Sequence, residues 1–356
     1  MTRHTLHAGT IHVGDWMQAD LTPGYTLAIV DGPYGMSKAA WDRMGIDGLA
    51  DWYVPHLVRV SSLLASAASL YVWNTTPGLK RLDPVIRGMG WTWRADIIWD
   101  KGNPASMLGW RDMRTWPDQT EVCGFYQRDF EVEAVEPLAL EMERRRRAAG
   151  LARATIDREL GTSNVSQYWW QARNWQLPNR RHWATLQKLA PSQFSDSWDE
   201  WSAREQDARE RSRPPFGLTE CMGNVWRFAP TAMGEERLWS AELAPDRLRG
   251  TLQRVGLHPC QKPLLFAERM IRASTRPGER VLVPFGGTCR EAVVCEWMAR
   301  TNPAEARGYD VCELNADGVD YIGPVLAQIR GEDVRPKAAG QVSLFGSSLA
   351  PPTAPR

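Results

Sequence analysis

Residues 27–36 read LAIVDGPYGM. Four apolar residues in a row give way at Asp31 to Gly32, Pro33, Tyr34 and Gly35, so a buried strand runs into a tight loop. As a turn the loop is easily explained, because Gly and Pro supply turn dihedrals and Asp caps its own backbone. At the carboxyl end of a parallel strand, the same loop would line the crevice where open α/β sheets bind ligands. There the Asp31 carboxylate and the Gly32 carbonyl can accept two hydrogen bonds from one amino group, and Tyr34 offers a face to a flat ring. The surroundings of the loop decide between turn and pocket.

Upstream, TLHAGTIHV (5–13) reads as a strand leading to Gly14 and Asp15, and Pro23-Gly24 as a turn before the apolar strand. Downstream, Leu57, Val60, Leu63 and Leu64 share one face of a helix, SLYVW (69–73) is a strand, and a further helix leads to the strand in ADIIWDKGNP (95–104). Strands alternating with helices predict an α/β sheet. Near residue 135 the pattern becomes charged and helical, as in EMERRRRAAGLARATIDRELG (141–161), and stays Trp- and Arg-rich to about residue 250. Alternation then returns after HPCQKP (258–263), with a helix (264–274), a strand (280–285), a glycine-containing loop, a helix (290–300) and a strand (306–311). One α/β domain is thus expected to carry a helical insert. The Pro-, Gly-, Ser- and Ala-rich residues 331–356 read as a disordered tail.

A chain of 356 residues, 43% hydrophobic, can bury a core of that size. It has no apolar run of about 18 residues, and MTRHTLHAGT lacks the apolar stretch of a signal peptide, so a cytoplasmic protein is expected. The six cysteines, at 123, 221, 260, 289, 295 and 312, form no CxxC pair and no cluster with histidine, which argues for reduced thiols and no metal site. The net charge of +1 hides ten Lys or Arg against four Asp or Glu over residues 137–190. That skew fits a nucleic-acid-facing segment or a solvated basic helix. The 18 tryptophans supply stacking area, though most should pack the core.

Two further stretches carry chemistry. In RVLVPFGGTCREAVV (280–294) a strand passes through a small-residue turn into a helix N-terminus, and Asp310 follows 23 residues after Gly287. This resembles the nucleotide-binding unit of a Rossmann-like fold, whose glycines admit the ligand and whose acid takes ribose hydroxyls. In HPCQKP, Pro263 starts a helix with Lys262 just ahead of it, suited either to a cap or to holding a ligand carboxylate.

Together these stretches resemble the amino-group DNA methyltransferases of the permuted, beta-class motif order. That order runs from a DPPY-type motif through a target-recognition insert and HPxQKP to an FxGxG donor loop. Here it is matched by DGPY at 31–34, HPCQKP at 258–263 and FGGTC at 285–289. IIWDKGNP, with Thr120 and Glu121 beyond it, is similar to the family's WxKxNP stretch. The resemblance implies a Rossmann-like methyltransferase sheet with circularly permuted motif order. Residues 1–134 would form the catalytic half, 135–250 a mainly helical target-recognition region, 251–330 the S-adenosylmethionine-binding half, and 331–356 the tail.

It further implies that a base flipped out of double-stranded DNA is methylated on its exocyclic amine, with Asp31, Gly32, Pro33 and Tyr34 as catalytic loop and no metal. Tyr34 would stack on the base through its ring, so that phenylalanine would serve as well. For S-adenosylmethionine the resemblance designates Asp15 for the adenine, Asp310 for the ribose, and Pro284, Phe285, Gly287 and Thr288 for the donor loop. His258 and Lys262 would face the donor's carboxylate. An Asp at the first motif position is typical of adenine N6 enzymes, whereas cytosine N4 enzymes more often carry Ser. Gly32 replaces the first proline of DPPY, Val283 a usual Asp and Cys289 a usual Gly, which keeps a catalytically impaired DNA-binding relative as an alternative. Restriction partner, defence and regulation stay equally open.

Within the insert, residues 148–171 resemble a helix-turn-helix whose second helix starts near Asn164. Asn164, Ser166, Gln167 and Arg173 would then reach bases or phosphates, and Arg144, Arg145, Arg146 and Arg147 phosphates. An ordinary helical hairpin is the alternative. In the tail, QVSLF (341–345) resembles a peptide that binds the bacterial sliding clamp, through Gln341, Leu344 and Phe345.

Overall fold

The computed structural model describes residues 1–36, 42–101, 119–128, 131–218, 223–227, 261–314 and 322–330. His258 and the tail residues Gln341, Leu344 and Phe345 lie outside them.

The single strand expected over 5–13 is two strands, β1 (Thr2–Thr5) and β2 (Gly9–Val13), paired antiparallel. The chain reverses where Leu6 N donates to the Gly9 carbonyl at 2.8 Å. Gly9 is required there, since an added Cβ would stand 2.2 Å from the Tyr309 carbonyl oxygen. β3 (Tyr25–Val30) is the apolar strand before Asp31. Tyr25, Leu27, Ala28, Ile29 and Val30 are all buried, as a strand covered on both faces requires.

After β3 come α1 (Leu49–Leu63), β4 (Leu64–Asn74), α2 (Thr76–Gly88), β5 (Thr92–Asp100) and β6 (Thr120–Arg128). α1 buries Tyr53, Leu57, Val60 and Leu63 along one face, close to the expected stripe, while Leu64 already begins β4. Thr75 caps α2 by accepting from the Gly78 amide, with a proline in the first turn.

Four helices follow, α3 (Glu131–Ala148), α4 (Arg153–Leu160), α5 (Arg180–Leu189) and α6 (Trp198–Ser212). The chain then returns through β7 (Val225–Arg227), α7 (Leu264–Ser274), β8 (Arg280–Val283), α8 (Arg290–Thr301), β9 (Gly308–Glu313) and α9 (Ile322–Arg330). Among the described residues, nine strands form one sheet in the order β1-β2-β9-β8-β3-β4-β6-β5-β7. The late strands β8 and β9 lie between β2 and β3, and β2, β9, β8, β3 and β4 run parallel. The carboxyl ends of these five strands therefore share one edge, and the loops of residues 14–18, 31–35, 284–289 and the end of β9 meet there.

The chain divides into two compact units, one being residues 66–68 with 128–214 and the other the rest. The expected helical region began at 135 and ran to 250. In the structure the helical unit ends at Pro214, residues 215–218 and 223–227 belong with the sheet, and 228–250 lie outside the described residues. The helical unit has its own core of Trp169, Trp170, Trp175, Trp183, Phe194 and Trp201. Over 128–214 there are fifteen Lys or Arg against fourteen Asp or Glu, so the basic skew of 137–190 is balanced by flanking acids. Among the described residues no helix is long and apolar enough to cross a membrane.

Candidate active site

Asp31 follows directly on β3 and sits in a network of charges. Lys262 Nζ, just before α7, lies 2.9 and 3.2 Å from the two Asp31 oxygens, 3.1 Å from Glu121 Oε2 and 3.0 Å from the Tyr34 hydroxyl. The Tyr34 hydroxyl donates to Asp31 Oδ1 at 2.8 Å. Behind them Lys101, at the end of β5, meets Glu121 Oε1 at 2.5 Å. The indoles of Trp73 and Trp99 lie 5.1 and 5.8 Å from the Lys262 ammonium. Two carboxylates thus face two ammonium groups in a largely buried place. Burial alone would raise Glu121, but Lys262 and Lys101 overrule it and hold the carboxyl down to about 2. Burial beside Asp31 and Glu121 pushes the Tyr34 hydroxyl far up, so it stays protonated.

The loop itself is clamped from below. The Pro33 carbonyl accepts from the Tyr53 hydroxyl at 3.1 Å and from Asn74 Nδ2 at 3.4 Å. Gly32 has no room for a side chain, because a Cβ would stand 2.7 Å from the Tyr53 hydroxyl and 3.1 Å from the Phe285 ring. The glycine that departs from DPPY is therefore dictated by its neighbours.

Across the same edge, the turn from β8 to α8 presents Phe285 to an aromatic group. Trp52, His56 and Trp16 have ring centroids 5.6, 5.5 and 6.1 Å from it. Burial lowers His56, and its Nδ1 accepts from Trp16 Nε1 at 2.9 Å, so the ring is neutral and carries its proton on Nε2. The Gly287 amide donates to Glu313 Oε2 at 2.6 Å, and a Cβ on Gly286 would strike Val311 at 2.6 Å. Cys289 has φ +47°, in the region that favours glycine, yet its side chain is wholly buried in the core. Val283 is likewise core. In the first turn of α8 the half-buried Glu291 carboxyl is pushed up to about 7 by burial and by Asp31.

A profile for N6/N4 amino-methyltransferases, described as DNA methylase, matches residues 25–324. The chain belongs to this DNA methylase family. Among solved structures it is similar to the cytosine-N4-specific PvuII DNA methyltransferase, with 14% identity over 92% of this chain and 95% of that one and a TM-score of 0.48. It is also similar to the M1.HpyAVI–SAM complex, at 11% identity over 90% and 98% with a TM-score of 0.45. The putative DNA modification methylase TTHA0409 from Thermus thermophilus, complexed with S-adenosyl-L-methionine, matches at 13% over 91% and 96%, with a TM-score of 0.44.

DNA methylases of this family take their methyl group from S-adenosylmethionine. The residues of this edge fit that donor, offering an aromatic wall, a turn that tolerates no side chain at Gly286, and a carboxylate at the end of β9. Pro284, Phe285, Gly287 and Thr288 lie in the turn, and Asp15 stands at the same edge, accepting from the Met17 amide at 3.0 Å. Asp310 is placed differently from the ribose acid expected. Its Oδ1 is taken by His12 at 2.8 Å and its Oδ2 by Tyr25 and Arg280, both at 2.8 Å, three residues before the strand ends. The carboxylate at the strand end is Glu313. The 23-residue spacing drew attention to Asp310, and Glu313 at the strand end was not singled out in the sequence. Lys262, expected to face the donor, spends its donors on Asp31, Glu121 and Tyr34.

In the helical unit, the expected second helix at Asn164 is a short 3-10 turn, Val165–Trp169. Trp169 and Trp170 are both buried, and consecutive buried tryptophans cannot lie on one exposed recognition helix. Ser166 is buried too, with its amide and hydroxyl on Asp157 at 2.9 and 3.1 Å. Arg145 turns inward to Glu141 at 2.6 Å and Asp196 at 2.7 Å, and Arg146 to Glu143 at 2.7 Å. Arg144, Arg147, Asn164 and Arg173 are exposed, and Gln167 is half-buried.

Proposed function

We propose that this DNA methylase is site-specific and methylates adenine N6 in double-stranded DNA. The observation that carries the reading is the Asp31 carboxylate at the carboxyl end of β3, fixed by Tyr34 and Lys262. An exocyclic amine conjugated to its ring is a poor nucleophile. Accepting its hydrogens at Asp31 and at the Gly32 carbonyl draws the nitrogen toward tetrahedral geometry and aims its lone pair. Asp31 acts as acceptor and not as strong base, since the nitrogen sheds its proton easily once methylated. Tyr34 supplies the face on which the flipped base stacks, and its hydroxyl keeps Asp31 in place. S-adenosylmethionine supplies a sulfonium methyl open to displacement. Phe285, Asp15 and Glu313 are the groups we assign to the donor's adenosine, and the buried side chain of Cys289 leaves the turn free for it.

The base assignment rests on Asp, rather than Ser, at position 31. Nucleoside mass spectrometry of DNA treated with the enzyme and labelled donor tests it. Label in N6-methyladenine is expected, and label in N4-methylcytosine would reverse the assignment. Absence of both, with no donor binding by calorimetry, would leave the DNA-binding relative.

A further inference from the structure

The two oxygens of Asp31 are not equivalent. Oδ1 accepts from the Tyr34 hydroxyl at 2.8 Å and from Lys262 at 3.2 Å, while Oδ2 accepts from Lys262 alone among the described residues, at 2.9 Å. A carboxylate oxygen has two lone-pair sites, so Oδ1 is full and Oδ2 keeps one. The same ammonium reaches Glu121 Oε2 at 3.1 Å, and the Tyr34 hydroxyl lies 3.3 Å from that oxygen. Asp31 and Glu121 are therefore close neighbours held together by one lysine that is 10% exposed. Two like charges so placed do not both ionise unless a cation stands between them.

We propose that Lys262 is a positioning residue, the cation that bridges Asp31 and Glu121 and leaves Asp31 Oδ2 as the acceptor for the target amine. The proposal rests on the reading of Asp31 as amine acceptor. It departs from a role in donor binding, because every ammonium proton already has a partner within the amine pocket. Among the described residues, the charged and titratable groups around Lys262 and its partners are Asp31 and Tyr34 from the catalytic loop, Glu121 and Cys123 from β6, and Lys101 just after β5. Tyr53 from α1 stands near Asp31 and Tyr34, and Glu291 from α8 feels the charges of Lys262, Asp31 and its neighbour Arg290. Without Lys262, Lys101 remains on the far oxygen of Glu121, and Asp31 and Glu121 face each other across the Tyr34 hydroxyl. One of them then takes a proton as the pH falls, and a protonated Asp31 loses acceptor capacity at the atom the amine needs.

The test is the pH profile of single-turnover methyl transfer at saturating donor. It compares wild type, Lys262→Met, Lys262→Arg and Lys262→Met combined with Glu121→Gln, with donor affinity measured by calorimetry. In Lys262→Met the acid limb should move up by about 1–3 pH units, with donor affinity within twofold of wild type. Lys262→Arg should return the limb, and so should Glu121→Gln in the double variant, by removing the second negative charge. An unmoved limb with a tenfold or greater loss of donor affinity would make Lys262 a donor ligand and overturn the proposal. An unmoved limb with loss of melting temperature only would reduce it to a structural residue, with the same result. Should Lys262→Met fail to fold, Glu121→Gln alone should move the limb down, and no movement there overturns the idea equally. A wild type that binds donor but transfers no methyl to DNA overturns the parent reading, and is seen before any variant is compared.

Discussion

At the scale of single residues, Tyr34 shows how a motif read from a chain understates its side chains. The ring was expected to suffice, yet its hydroxyl holds Asp31 at 2.8 Å and accepts from Lys262 at 3.0 Å. Tyr34→Phe should therefore slow single-turnover transfer about ten- to a hundredfold, the worth of a hydrogen bond between charged partners, about 1.5–3 kcal/mol. Tyr34→Ala should fall further by the stacking it also loses, about 1–3 kcal/mol. Equal rates for wild type and Tyr34→Phe would show that the hydroxyl is idle. Gly32 makes the opposite point, since its missing Cβ is what counts. Gly32→Ala forces the Tyr53 hydroxyl and the Phe285 ring to yield, an overpacking cost of about 1–3 kcal/mol that thermal melts will read. Adding Tyr53→Phe should recover part of the loss by removing the nearer atom, and no recovery would place the strain elsewhere. The place of Asp31 at the strand end beside Tyr34 was legible because strand, loop and aromatic ring are consecutive in the chain. Lys262 as its partner was not, because nothing in HPCQKP says which carboxylate, 231 residues away, will meet it.

Elements were legible where one face is apolar and illegible where tryptophan does the packing. The run Leu264–Ser274 formed the helix expected of it, with Phe266, Ala267, Met270 and Ile271 buried on one side. At Asn164 the same reasoning failed, because two adjacent tryptophans and Ser166 are drawn into a core and the chain closes into a 3-10 turn. The arginine run in α3 was read as one basic surface, but helical geometry splits it. Arg145 and Arg146 point to the unit's own acids and to the Trp201 and Trp170 rings, whereas Arg144 is exposed and Arg147, also exposed, keeps Nε on Glu143 at 2.9 Å. Arg145→Ala should accordingly lower the melting temperature, by about 1–3 kcal/mol of stability for breaking partly buried pairs. Arg144→Ala should leave the melt unchanged and reduce only the salt dependence of DNA binding. A reversed pattern, with Arg145→Ala altering DNA binding in a protein of unchanged stability, would return that side chain to the phosphates.

For the molecule as a whole, the sheet was readable from its alternation and the order of its motifs from a family resemblance, whereas the order of the strands, with β8 and β9 between β2 and β3, was not read from the sequence. The charges buried at its carboxyl edge were not readable, because their state depends on which neighbours the fold supplies. Those charges now make stability depend on pH in two opposing ways. Glu121, held at about 2, sits below the ordinary 4.5 of a glutamate, so its contribution is present above pH 4.5 and is lost as pH falls toward 2. Glu291 is shifted the other way, up to about 7. Between pH 4.5 and 7 the unfolded chain has lost that proton while the folded protein keeps it, so raising the pH through this window favours unfolding. His56, lowered by burial, adds a slope of opposite sign near its ordinary 6.5, so the wild-type curve alone does not isolate Glu291. The comparison with Glu291→Gln does, because the amide keeps the shape and never ionises. Melting temperatures of the two proteins should nearly coincide at pH 4.5 and diverge as the pH rises, with Glu291→Gln the more stable by pH 8. The divergence should be largely complete just above pH 7, where the folded carboxyl has given up its proton. Parallel curves across the range would mean that water reaches the carboxyl freely and that the crowding of Asp31 against the first turn of α8 has no consequence for folding.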